Sequence, residues 1–218
     1  MGKDTRSGVA ANTPVKPETR FQAASISKPV TAFAVMRTVE AGQLSLDEDV
    51  NRYLKSPAIA QVHVESWKTT YKGIFPESLL DRLSVSDRTR FWNETLAKPS
   101  GRFVTLVACD EAGRVVGFVC GGAERTGQLG CDGELQAMYL LEGVQRQGLG
   151  TLLIRRFVRE LRSAGFNSMA VWVLGRNPSR RFYEALGGRA ITEQQIERGG
   201  ESYVEIAYGW RDLSEFQA

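Results

Sequence analysis

The chain has 218 residues, 28 of them Lys or Arg and 25 Asp or Glu, for a net charge of +3. That length holds one ordinary domain and a small addition. The charge is too mild, and the basic residues too scattered, to argue for a nucleic-acid partner. No apolar run reaches the ~18 residues that would span a bilayer, and no signal peptide precedes the first polar stretch, so a cytoplasmic protein without membrane attachment is expected. Cys109, Cys120 and Cys131 form an odd set without a C-x-x-C pair, which reads as reduced, packing thiols. His63 is the single histidine, so no metal site is expected, and its helical spacing from Ile59 and Trp67 suits a packing role better than a catalytic one.

Residues 1–17 are polar, with Gly2, Gly8, Pro14 and Pro17 among charges, and read as a disordered lead-in. From Ser27 to Ala41 the pattern turns helical, with Ser27 as a cap, Pro29 in the first turn, and Val30, Phe33, Ala34 and Val39 recurring before Gly42. A second, polar helix is expected over Asp47 to Leu54. The segment from Thr19 through Ser25-Ile-Ser-Lys28 to Asp47-Glu-Asp-Val-Asn-Arg-Tyr-Leu54 resembles the active-site stretch of serine β-lactamases and penicillin-binding proteins, in which a nucleophilic serine and a lysine stand one helical turn apart. The Tyr-x-Asn or Ser-Asp-Asn element and the Lys-Thr-Gly strand that such a site also requires do not occur after Leu54. Residues 18–55 are therefore expected to be a fused fragment of structural value, without hydrolase activity at Ser25 and Lys28.

A compact α+β texture follows. Helices are expected over residues 57–72, Pro76 to Leu83 and Asp87 to Leu96. Strands are expected over Phe103 to Cys109, Val115 to Gly121 and Glu134 to Leu141. A helix from Leu149 to Ala164, a strand from Ser168 to Leu174, a helix from Pro178 to Leu186 and a strand from Tyr203 to Trp210 complete the order. Between the third strand and the fourth helix, a glycine-punctuated loop opens a helix whose first turn carries no acidic side chain. Backbone N–H groups of Gln147, Gly148, Leu149, Gly150 and Thr151 would there meet the positive end of a helix dipole, an arrangement suited to a phosphate. The loop has neither the third glycine of a dinucleotide fingerprint nor the Gly-Lys-Ser/Thr ending of a P-loop.

The run Gln145-Arg146-Gln147-Gly148-Leu149-Gly150 resembles the acetyl-CoA loop of the GNAT superfamily of N-acetyltransferases, and the element order matches that core from Pro57 to Arg211. The resemblance implies a mixed, mostly antiparallel sheet flanked by helices, here behind a helical N-terminal extension: lead-in 1–17, β-lactamase-like fragment 18–55, acetyltransferase domain 56–212 and tail 213–218. It also implies acetyl-CoA as cofactor, with Met138, Tyr139 and Leu140 offering backbone groups to the pantetheine arm. Asn177-Pro-Ser-Arg-Arg-Phe-Tyr183 is similar to the family's second cofactor motif, implying that Asn177 bonds the pantetheine and that Tyr183 protonates the departing thiolate. Glu134 is the expected base toward the amine, with Glu124 and Glu65 as alternatives. Trp67 and Tyr71, with Trp92 as a further candidate, are expected to line the acceptor site.

The expected activity is direct acetyl transfer to the primary amine of a small molecule. A protein or peptide acetyltransferase, an acyl-CoA-binding sensor and a serine hydrolase are the competing readings. One departure from the family stands out: the strand that members place before the first helix is missing. Gln43 to Leu46 is expected to replace it on the sheet edge, or the fused segment to make a homodimer contact there.

Overall fold

The computed structural model describes residues 50–97 and 102–216, all within the compact unit Asp49–Ala218. The expected lead-in, the Ser27 to Ala41 helix, Ser25, Lys28 and the Gln43 to Leu46 strand lie outside the described residues. Five helices are described: α1 (Val50–Thr70), α2 (Glu77–Asp81), α3 (Val85–Ala97), α4 (Leu149–Ser163) and α5 (Arg180–Ala185). They flank six strands, β1 (Val104–Cys109), β2 (Val115–Ala123), β3 (Gly133–Leu140), β4 (Met169–Leu174), β5 (Arg189–Arg198) and β6 (Glu201–Trp210), in the order β1-β2-β3-β4-β6-β5. No helix among the described residues is long and apolar enough to cross a membrane.

The break expected between a helix ending at Leu54 and one starting at residue 57 is absent; Asp47 to Asp49 lie outside the described residues. Helix α1 runs unbroken through Pro57, and the boundary expected after residue 55 falls inside it. Ile59, Ala60 and Val62 on α1 pack with Trp92 on α3 against Phe118 and Cys120 on β2. On the opposite face of the sheet, Leu153, Ile154, Phe157, Val158 and Leu161 of α4 bury the apolar stripe that its sequence period announces, against Val119, Leu135 and Val171.

Strand β5 was not foreseen. Its residues are exposed apart from the partly buried Ile191 and Ile196, so no alternation of apolar and polar residues marks it. It exists because Gly199 and Gly200, at φ 62° and 83°, close a tight hairpin that brings Arg198 opposite Glu201 and zips β5 onto β6.

Two irregularities in β3 position everything that follows. Cys120 pairs with Ala137 but Gly121 pairs with Leu135, so Gln136 is an extra, bulged residue. Beyond the bulge Ala137 and Tyr139 face the α1–α3 layer, while Met138 and Leu140 face α4. In addition, β3 pairs in parallel with β4 only at Gly133, Glu134 and Leu135. Past Leu135 the two strands part, and the β4-facing backbone edge of Met138 to Leu140 has no strand opposite it.

Candidate active site

The gap between β3 and β4 opens beside the glycine loop. A 3-10 turn, Glu142–Val144, leads out of β3, and Gln145 donates from its side-chain amide to Leu140 O at 2.9 Å, tying the loop back to the strand. Arg146 is the sole non-glycine at positive φ among the described residues, at 61°, and Gly148 caps α4 at φ 82°. These paired left-handed conformations turn successive amides to one side. Among the described residues, the N–H groups of Arg146, Gln147, Gly148, Leu149, Gly150 and Thr151 meet no protein acceptor; the first ladder bond into α4 is Leu152 N–H to Gly148 O, 3.1 Å. The first turn of α4 holds no acidic residue. An anion is the natural partner for such a row. A Cβ on Gly148 would meet nothing within 4 Å, so the space in front of the loop is open.

At the other end of the gap, side chains from three elements meet. Tyr71, just past the end of α1, shares a 3.2 Å hydrogen bond with the Tyr139 hydroxyl. Burial raises the phenol pKa of both; for Tyr71 the hydrogen bond to Tyr139 opposes the rise and the negative charge of Glu205 adds to it. Tyr183, on α5, is 8% exposed. Burial pushes its phenol well above the usual value, with a further push from Tyr71, so these three hydroxyls sit close enough to sense one another. Tyr183 packs edge-on to Trp210 at 6.3 Å, and its hydroxyl makes no hydrogen bond to another described residue. Asn177 is buried and accepts from Ser179 N–H at 2.9 Å, fixing the turn into α5.

The floor beneath these hydroxyls is aromatic. Tyr139 stacks on His63, with ring centroids 5.2 Å apart. Trp67 meets Tyr71 at 5.0 Å, Tyr71 meets Phe75 at 4.9 Å, and Phe75 meets Tyr203 of β6 edge-on at 4.9 Å. Trp67 Nε1 is buried without a hydrogen-bond partner among the described residues. Trp92, by contrast, lies inside the core and donates to His63 Nδ1 at 3.3 Å, so it does not line the opening. That bond makes Nδ1 an acceptor and leaves the ring proton on Nε2. Burial, aided by the charge of Arg88, lowers the His63 pKa to about 3.

The carboxylates are placed differently from the expectation. Glu134 is 1% exposed and takes three hydrogen bonds from Arg125: from Nε at 2.9 Å, Nη2 at 2.5 Å and the backbone N–H at 3.2 Å. It sits where β3 and β4 are still paired, opposite Ala170, and its lone pairs are committed to a guanidinium. Glu124 folds onto the Thr126 turn, and Glu65 is exposed on α1 beside Gln61. The carboxylate whose charge reaches the tyrosine cluster is Glu205, in the middle of a polar hairpin where nothing in its sequence neighbourhood singles it out.

A family model described as FR47-like protein matches residues 124–196, and one described as Beta-lactamase matches residues 4–67, further than the expected fragment and into α1. The uncharacterized N-acetyltransferase YuaI of Bacillus subtilis (strain 168) is 44% identical over 156 residues, covering 72% of this chain and 87% of the relative. Esterase EstB of Burkholderia gladioli is 33% identical over 90 residues, which span 35% of this chain but only 23% of the esterase. Among solved structures, the PaiA N-acetyltransferase of Thermoplasma acidophilum, in complex with coenzyme A, aligns with a TM-score of 0.51 at 18% identity over 69% of this chain and 91% of that one.

Proposed function

Because the chain belongs to the GNAT family of N-acetyltransferases, we propose that it binds acetyl-CoA and passes the acetyl group directly to the primary amine of a small molecule. The observation that carries this reading is the row of unpartnered N–H groups from Arg146 to Thr151, set beside a strand edge that the parting of β3 and β4 leaves without a neighbour. The fit is good: the loop suits the pyrophosphate, the open edge of Met138, Tyr139 and Leu140 suits the amides of the pantetheine arm, and Asn177 stands at the start of α5 to bond it. Gln145, Arg146 and Gln147 shape the loop through main chain and side-chain amides more than through charge. When bound, acetyl-CoA supplies an acetyl group activated as a thioester.

The chain's own residues then have three tasks. The first is to hold a proton for the leaving sulfur. Tyr183 does so because burial keeps its phenol protonated across the neutral range. The second is to keep competing nucleophiles silent: Cys120, which packs in the same cluster as Tyr139, is pushed up to about 12 by burial and stays a thiol, so it does not compete with the amine for the acetyl group. The third is to receive a cationic amine against the wall of Trp67 and Tyr71, in which the Arg88 guanidinium already lies over the Trp67 ring at 5.5 Å and Tyr71 supplies the hydroxyl and ring edge nearer the gap. Turnover with a panel of primary amines, followed as release of free thiol, tests the reading. Binding of acetyl-CoA without thiol release for any amine would make the protein a sensor instead.

A further inference from the structure

We infer that Glu205 is the acceptor-side carboxylate: it anchors the ammonium group of the incoming amine against the Tyr71–Phe75–Tyr203 wall and takes one proton from it. This rests on the acetyltransferase reading above and names the chemistry of its second substrate.

The register of β6 places the group. Tyr203 and Ala207 lie on the α1–α2 face of the sheet, in clusters with Phe75 and with Ala170 respectively, whereas Ile206 and Tyr208 pack on the α4 face. Side chains alternate along a strand, so Glu205 stands between Tyr203 and Ala207 on the same face as the aromatic wall. It pairs with Leu174, the last residue of β4, and the next backbone bond, Gly175 N–H to Val204 O at 2.8 Å, closes the strand end. Glu205 thus lies beside the last residue of β4, one strand over from the gap, and its charge is felt at Tyr71.

Its surroundings fit a cation. The side chain is partly buried, and its described polar contact is a single hydrogen bond, from Gln194 Nε2 to Oε2 at 3.1 Å. No arginine or lysine forms an ion pair with it among the described residues, unlike Glu134, which Arg125 neutralises. A carboxylate held by a neutral amide at the rim of an aromatic wall keeps acceptor capacity for an ammonium, and ring faces add cation–π attraction. The proton step balances simply: the ammonium N–H bond breaks, its electron pair stays on nitrogen as the nucleophilic lone pair, and the proton goes to a Glu205 oxygen and then to solvent.

The test uses the full chain and measures binding before catalysis. Phenethylammonium, and 2-phenylethanol as its uncharged counterpart, are titrated while tryptophan fluorescence is followed, with the parent, Glu205→Gln and Glu193→Gln. Glu193 lies one strand over and faces the opposite side, so its variant removes the same charge without touching the wall. The parent is expected to prefer the ammonium, Glu205→Gln to bind it about tenfold more weakly with the alcohol unaffected, and Glu193→Gln to match the parent. Acetyl-CoA affinity should be equal in all three. Equal ammonium binding by parent and Glu205→Gln, or a parent without preference for the ammonium, overturns this inference while leaving acetyl-CoA binding intact; loss of acetyl-CoA binding by the parent overturns the enzyme reading instead.

Discussion

The imidazole of His63 lies nearly parallel to the phenol ring of Tyr139, with 19° between the ring planes, and its Nδ1 is occupied by the Trp92 indole. This ring cannot take a second proton without placing a charge inside an apolar stack. Its pKa of about 3 in the fold, against 6.5 in an open chain, means that below about 6.5 the unfolded protein gains a proton that the folded protein refuses. Stability is therefore full above that value and falls as pH drops, by about 1.4 kcal/mol per unit. Urea denaturation between pH values of about 6.5 and about 5, where unperturbed carboxylates are still ionised, should show this slope in the parent and lose it in His63→Phe. An equal slope in both proteins would mean that the ring is reached by solvent.

Tyr183→Phe should lower turnover by about a hundredfold or more and leave the acetyl-CoA dissociation constant within about twofold of the parent's. The hydroxyl matters as charge builds on sulfur, not while the cofactor docks. Phe fits the same packing against Phe182 and Trp210. Near-normal turnover would reduce Tyr183 to a core residue.

The two loop glycines should separate under mutation. Gly148, at φ 82°, combines a left-handed backbone with open space in front of it, so Gly148→Val should abolish acetyl-CoA binding. At Gly150 an added Cβ would make ordinary 3.5 Å contacts with Leu140, Met138 and Phe182, so Gly150→Ala should still bind and Gly150→Val should not. Calorimetric titration with acetyl-CoA reads all three; tight binding by Gly148→Val would remove the loop from the cofactor site.

Glu134 and Arg125 offer a contrast between structure and catalysis. Arg125→Met leaves a buried carboxylate without its partner and should cost about 3 kcal/mol or more in unfolding free energy. Glu134→Gln keeps an acceptor and removes the charge, so turnover at saturating amine should stay close to the parent's. A collapse of turnover in Glu134→Gln, with folding intact, would return the base to β3 and remove it from Glu205.

Ser25→Ala and Lys28→Ala should leave acetyl transfer unchanged, and the parent should not hydrolyse a chromogenic β-lactam, since the Lys-Thr-Gly and Tyr-x-Asn elements are missing from the sequence. Steady hydrolysis that vanishes in Ser25→Ala would show that the fragment is an active site in its own right.

Local signals carried most of the architecture. The 3.6-residue stripe of α4, the apolar runs of β2 and β4 and the Gly148–Gly150 loop each report on a few neighbouring residues, so they could be read directly. What escaped depends on partners distant in sequence or on exposure. Strand β5 is polar because it is an edge, and only the Gly199-Gly200 turn hinted at it. Glu134 carries no sequence sign of its partner because the Arg125 that neutralises it stands at the start of the β2–β3 connection, at the far end of the turn. The sequence offers Tyr139 for its backbone alone, because the bulge at Gln136 beyond which its ring meets Tyr71 leaves no mark in composition. Glu205 shares β6 with one other acid, Glu201, and what distinguishes it is which face of the sheet it shares with Tyr203.

The short pairing of β3 with β4 also has a mechanical consequence. Three residue pairs hold together two halves of a sheet, β1-β2-β3 on one side and β4-β6-β5 on the other, so the seam is the weakest line through the sheet's hydrogen bonding. A cofactor arm bonded along the open edge of β3 would stitch that seam with hydrogen bonds the polypeptide does not supply. Amide exchange along β3 and β4 should therefore slow together on binding, and thermal unfolding should sharpen as well as shift upward, because two halves that can open separately become a single cooperative body. In that sense the ligand acts as a missing piece of backbone.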